Sequence, residues 1–89
     1  MQNKNKEIIT GLKKAQTHLG KVIEMVEDQK YCVDILQQNL AVLGLLKSAN
    51  ARILEGHLNS CFAAAMRGTN EKRKKEMIGE ILMISKLSK

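Results

Sequence analysis

The stretch CVDILQQNLAVLGLLKSANARILEGHLNSC, Cys32 to Cys61, decides the fold. It contains no proline and no turn-forming pair, and its two glycines, Gly44 and Gly56, stand singly. Stepping along it by alternating four and three residues gives Cys32, Leu36, Asn39, Leu43, Leu46, Asn50, Ile53 and His57, with Cys61 one helical turn further. Leu40, Leu54 and Leu58 widen this stripe. A stripe of that period, held over so long a run, predicts a long helix lying along a partner helix. The helix is expected from Tyr31 to Met66 and spans roughly 50 Å. Two shorter helices of the same chain cannot cover that length, so two copies of the chain are expected to pair along it.

Polar breaks flank this helix. EDQKY, Glu27 to Tyr31, interrupts the apolar pattern before it, and RGTNEK, Arg67 to Lys72, interrupts it after. Gly68 suits a helix C-terminus, and Thr69 or Asn70 suits the next N-cap. A first helix is expected from about Lys4 to Glu27, with Ile8, Leu12, Ala15, Leu19, Val22 and Val26 on its apolar side. Lys6, Lys13, Lys14, Lys21 and His18 occupy the opposite side. A third helix is expected from about Asn70 to Leu87, with Met77, Ile78, Ile81, Leu82, Ile84 and Leu87 as its apolar side. No strand-length run alternates apolar and polar residues. The fold class is therefore all-α, with three helices per chain, a long central helix, and residues 1–89 as a single helical domain.

Composition narrows the function. With one Phe and one Tyr, the core must be aliphatic. A core this small supplies only about 3–5 kcal/mol, which again favours oligomerisation. No stretch approaches the roughly 20 apolar residues of a membrane span. The start, MQNKNKEIIT, lacks the apolar segment of a secretory signal. Together with two cysteines, this points to a cytoplasmic protein whose thiols stay reduced. Fifteen basic against nine acidic residues give a formal charge of +6, which favours polyanions such as nucleic acid. There is no Ser-His-Asp pattern, paired-carboxylate cleft or glycine-rich phosphate loop, so an enzyme is not expected.

His57 and Cys61 lie four positions apart, one turn along one helical face. As an imidazole and a thiolate they form a two-point chelate that zinc or copper(I) would accept, each needing at least one more ligand. Cys32 lies about 37 Å up the same helix and cannot reach them within one chain. An antiparallel dimer with its two-fold axis near Leu45 brings each Cys32 to the partner's His57 and the partner's Cys61, provided the helix does not break at Gly44. Two thiolates and one imidazole suit three-coordinate copper(I), whereas zinc would need a fourth ligand. Taken singly, the same residues read as core, because free cysteine is often a small buried hydrophobe. A third reading is a redox switch in which Cys32 and Cys61 of two subunits join through sulfur.

Tyr31-Cys32 in YCVDIL, followed by His57 and Cys61 in ARILEGHLNSC, resembles the metal-sensing repressors of the CsoR/RcnR family, in particular the copper(I)-sensing CsoR-like branch. The likeness covers nearly the whole chain. It implies an antiparallel helical homodimer forming a four-helix bundle and pairing into a homotetramer. It also implies that operator DNA is held on basic surfaces and released when copper(I) binds Cys32 of one subunit with the partner's His57 and the partner's Cys61. Tyr31 matches a tyrosine beside the metal ligands, and Glu76 is the preferred match to a glutamate there, with Met77 as the other alignment. Nickel-, cobalt- and formaldehyde-sensing relatives differ at the position of Cys61, and persulfide-sensing relatives lack the histidine. One departure stands out. Family members carry R-hydrophobic-x-G-Q in the first helix, where this chain reads KKAQTHLGK, Lys13 to Lys21.

Lysine keeps the charge but lacks arginine's bidentate fork, so phosphate attraction survives while sequence discrimination weakens. The DNA-binding candidates are Lys13, Lys14 and Lys21, with Lys72, Arg73, Lys74 and Lys75 as a second basic patch. Three functions follow: a copper(I)-responsive repressor, a thiol- or persulfide-responsive repressor using Cys32 and Cys61, and a helical metal-binding protein without a DNA role.

Overall fold

The computed structural model describes residues 2–87, and every regular element among them is helical. Helix α1 runs over Gln2–Glu27 and α2 over Cys32–His57, followed by a π-helical turn at Leu58–Phe62, α3 at Ala63–Arg67 and α4 at Glu71–Leu87. The chain divides into two compact units, Met1–Glu55 and Gly56–Lys89.

The first unit is a helical hairpin. Ile8, Ala15 and Val22 recur every seven residues on α1, as do Val42 and Ala49 on α2, and all five are buried. Seven residues are about two helical turns, so each set forms one line facing the neighbouring helix. Ala15, Val22 and Val42 form the central cluster, with Ile35 and Leu45 packed against it. Burying a valine side chain contributes about 1.5–3 kcal/mol, and the alanines let the two backbones approach. Two polar links fix the antiparallel register. The Arg52 guanidinium donates to Glu7 Oε2 at 3.0 Å, and His18 Nε2 shares a 2.7 Å hydrogen bond with Gln38 Oε1. The first joins exposed side chains and contributes about 0–1 kcal/mol, so apolar burial dominates.

This packing corrects two expectations. His18 faces α2 through Gln38 rather than standing on a solvated side. On α1, Ile8, Ala15 and Val22 are buried, whereas Leu12, Leu19 and Val26 of the same expected apolar side remain exposed. On α2 the buried line is Val42 and Ala49, flanked by Ile35 and Leu45. The stripe from Cys32 through Leu36, Leu43 and Leu46 to Ile53 lies on another face and is exposed.

The hairpin turn is made by backbone. Gln29 adopts a left-handed conformation, φ 54°. Its N–H donates to the Val26 carbonyl, and the Lys30 N–H donates to the Met25 carbonyl. That pair of bonds is the Schellman end of a helix, with glutamine where glycine is usual. The Tyr31 carbonyl then accepts the Ile35 N–H and starts α2, which passes Gly44 unbroken.

In the second unit, α helix was expected through Met66, but Leu58–Phe62 winds as a π-turn. The Ala63 N–H reaches back to the Leu58 carbonyl, five residues earlier. Gly68 ends α3 with ψ −176°, extended rather than left-handed. Asn70 caps α4, its Oδ1 accepting the Arg73 N–H at 3.1 Å. Met77 is only 1% exposed and anchors this unit.

Candidate metal centre

Cys32 is the first residue of α2 and is exposed with a free thiol; Tyr31 immediately precedes it and is exposed as well. His57, the last residue of α2, is half-buried, and Cys61 sits exposed and free within the π-turn. His57 and Cys61 therefore belong to consecutive turns of helix in the second unit, as their spacing requires. Among the described residues, no three His, Cys, Asp or Glu side chains converge to hold a metal ion.

The donor chemistry of these residues fits a soft metal. Both sulfurs are uncombined thiols open to solvent, and the single nitrogen donor is an imidazole. Sulfur with one nitrogen, and no carboxylate among these three, matches copper(I) better than magnesium, calcium or manganese.

Two local contacts brace the histidine end. The Ser60 hydroxyl donates to the Gly56 carbonyl at 2.6 Å. The Phe62 ring lies against the His57 imidazole, with centroids 6.5 Å apart and planes inclined at 59°. Sequence reasoning passed over both residues, although a serine four positions after a glycine and a phenylalanine five after the histidine were visible.

Glu76 is exposed on α4 and accepts a 3.3 Å ion pair from Arg73. Its alternative, Met77, is the buried anchor of the second unit and carries no polar donor.

The two basic patches differ. Lys13, Lys14 and Lys21 line an open groove of about 680 Å³ with Thr10, Thr17, His18 and Leu45. A neighbouring groove adds Lys6 and Arg52 beside Lys14. Arg52, the arginine of this groove, was not among the expected DNA-binding residues because it lies on α2, far from the α1 lysines in sequence. In the second patch Arg73 pairs with Glu76, and Lys74 pairs with Glu71 at 3.3 Å. Lys72 and Lys75 are exposed. No helix among the described residues is long and apolar enough to cross a membrane.

A family model described as metal-sensitive transcriptional repressor matches residues 4–86. The chain belongs to that family. Among similar members, the copper-sensing transcriptional repressor CsoR of Mycobacterium ulcerans is 39% identical over 66 residues, covering 74% of this chain and 56% of that protein. CsoR of Bacillus subtilis is 36% identical over 78 residues, covering 85% of this chain and 77% of the relative. The mycobacterial matches span about half the length of those relatives. The crystal structure of the copper-sensing repressor CsoR with Cu(I) from Geobacillus thermodenitrificans superposes with a TM-score of 0.83 at 31% identity. That match covers 100% of this chain and 91% of the other. The all-helical architecture of this family member thus agrees with a solved relative.

Proposed function

We propose that this protein is a copper(I)-responsive transcriptional repressor whose grip on operator DNA weakens when the metal binds. One observation carries the reading. The α2 stripe that bears Cys32 at one end and leads to His57 at the other lies on a face the hairpin core does not use. Leu36 and Leu40 on this side of α2 are 59% and 64% exposed. So much apolar surface along one helix calls for a partner. A second copy laid antiparallel covers it and brings Cys32 to the partner's His57 and the partner's Cys61.

Cys32, His57 and Cys61 would hold the ion, with Tyr31 and Glu76 beside them. Bound copper(I) supplies a soft cross-link between two subunits. A hundredfold loss of DNA affinity needs about 2.7 kcal/mol of coupling, within reach of one such link. The lysines of the α1 groove attract DNA phosphates, and pairing of two dimers into a tetramer would present that groove repeatedly along the duplex. The copper-sensing relatives support the metal, and the family supports the operator.

The test is a titration of copper(I) into protein bound to operator-like DNA, read by fluorescence anisotropy. Release at one ion per site is expected, and an affinity that stoichiometric metal leaves unchanged would sink the reading. His57→Ala separates the sulfur-based alternative, which needs Cys32 and Cys61 but not the imidazole. In the copper reading that variant no longer responds. A DNA affinity independent of salt, or no affinity, would instead favour a metal-binding protein without a DNA role.

A further inference from the structure

Between the two donors of the second unit, the backbone leaves the α-helix. Each α-helical residue turns the chain by about 100°, so a residue five positions on lies about 140° round the axis, on the far side. Phe62 is five positions after His57, yet the two rings are 6.5 Å apart. A turn that takes one extra residue accounts for this, because it returns position i+5 to the side of position i. The Ala63 N–H reaching the Leu58 carbonyl is that turn's hydrogen bond. The Ser60 hydroxyl, bonded at 2.6 Å to the carbonyl four residues back, holds the same segment. Serine bonds of this kind compete with the α ladder and loosen or bend it. π-Turns make up well under about 1% of residues and gather at functional sites.

We propose that the π-turn Leu58–Phe62, pinned by the Ser60 hydroxyl, positions the metal ligands by standing the Phe62 ring against the His57 imidazole. The ring restricts rotation of the imidazole and shields one side of it from water, so that His57 and Cys61 act as one preset pair. Ser60 and Phe62 are positioning residues and not ligands: the hydroxyl is engaged with Gly56, and the phenyl ring has no donor. The proposal rests on the copper-site reading above. It concerns how the metal is held, not whether DNA is bound.

The experiment uses the full-length protein with copper(I) alone as probe. Three readouts apply: competition against a copper(I) chelator, X-ray absorption at the copper edge, and the His57 imidazole resonances of the metal-free protein. Ser60→Ala and Phe62→Ala are each expected to lower copper(I) affinity by about tenfold, the low end for residues that orient ligands. Both should weaken the copper–nitrogen signal and broaden or shift the His57 resonances. Ser60→Thr, which keeps the hydroxyl, should restore all three. Phe62→Ala leaves the Ser60–Gly56 bond in place and tests the idea even if Ser60→Ala disturbs folding. His57→Ala separates the two layers of the argument. If it loses affinity while Ser60→Ala and Phe62→Ala match the unaltered protein in all three readouts, the positioning role is overturned and the copper site stands. If His57→Ala binds copper(I) normally, the site reading falls and takes this proposal with it.

Discussion

The segments that carry the two cysteines are built in opposite ways. The Cys32 end is placed by backbone: a left-handed Gln29, two Schellman bonds, and the Tyr31 carbonyl that opens α2. At the Cys61 end side chains reinforce a backbone π-turn, with the Ser60 hydroxyl on Gly56 and the Phe62 ring on His57. A thiol at a backbone-made helix start is held by the hairpin turn. A thiol in a side-chain-braced turn shares its segment with His57, one helical turn earlier in sequence. Under the proposed copper reading, each chain would contribute a braced pair, His57 and Cys61, and one separate donor, Cys32, an arrangement a symmetric pair would complete.

The largest effect is expected from splitting the halves between subunits. Cys32→Ser and Cys61→Ser homodimers should each lose copper(I) response, beyond the 10- to 100-fold cost typical of altering ligand supports. Mixed and refolded together, they should form heterodimers in which one site per pair is intact. Random pairing makes half of the dimers heterodimers, so about a quarter of the unaltered protein's stoichiometry of tight copper(I) binding, read by chelator competition, is the expected result. No recovery would mean that the donors of one site do not come from two chains.

The next effect tests the two faces of α2. Val42 is 3% exposed within the hairpin, while its neighbour Leu43 is 45% exposed on the free stripe. An unpaired aspartate in an apolar interface costs several kcal/mol. Leu43→Asp should therefore leave a folded hairpin that sediments as a monomer. Val42→Asp should abolish helical circular dichroism altogether. Monomers from neither, or unfolding from both, would break the assignment of faces.

Much of this was legible before any coordinates. EDQKY and RGTNEK fall where the helices break, and Asn70 caps α4 as its amide chemistry suggested. The helix from Cys32 to His57 runs uninterrupted past Gly44, as the period of its stripe predicts. The face packed against α1 was not legible, because Val42 and Ala49 are no more apolar than Leu43 and Leu46, and periodicity cannot say which of two apolar faces meets which neighbour. The π-turn was hidden for a related reason: a histidine and a cysteine four apart lie near one another in either kind of helix. The turn at Gln29 gave no glycine to mark it. Of the candidate site, sequence offers the residue types and spacing, while the contacts of Ser60 and Phe62 around His57 needed coordinates.

The contrast between open and locally satisfied groups extends to charge. Lys14 lines both α1 grooves, whereas Lys74 is tied to Glu71 within its own helix. A cation that neutralises a DNA phosphate contributes about 0.9 to the slope of log affinity against log salt. Lys14→Gln should reduce that slope by about 0.9, and Lys74→Gln should change it by much less. Equal changes would erase the distinction between the patches. A larger change from Lys74→Gln would move the DNA surface to α4.

The smallest expected effect is a gain. A side chain in the left-handed region costs about 1–2 kcal/mol, while glycine costs about 0.5–1 kcal/mol of extra backbone entropy. Gln29→Gly should therefore stabilise the protein by about 0.5–1 kcal/mol, or roughly 2–8 °C in melting temperature at fixed protein concentration. Gln29→Ala, which keeps a Cβ at φ 54°, should give no such gain. Copper(I) affinity should be unchanged in both, since the turn presents Cys32 through backbone bonds that glycine makes equally well. A loss of affinity in Gln29→Gly would show that the glutamine side chain helps hold the Cys32 end. The two ends of the site would then be built alike, and the asymmetry argued above would be lost.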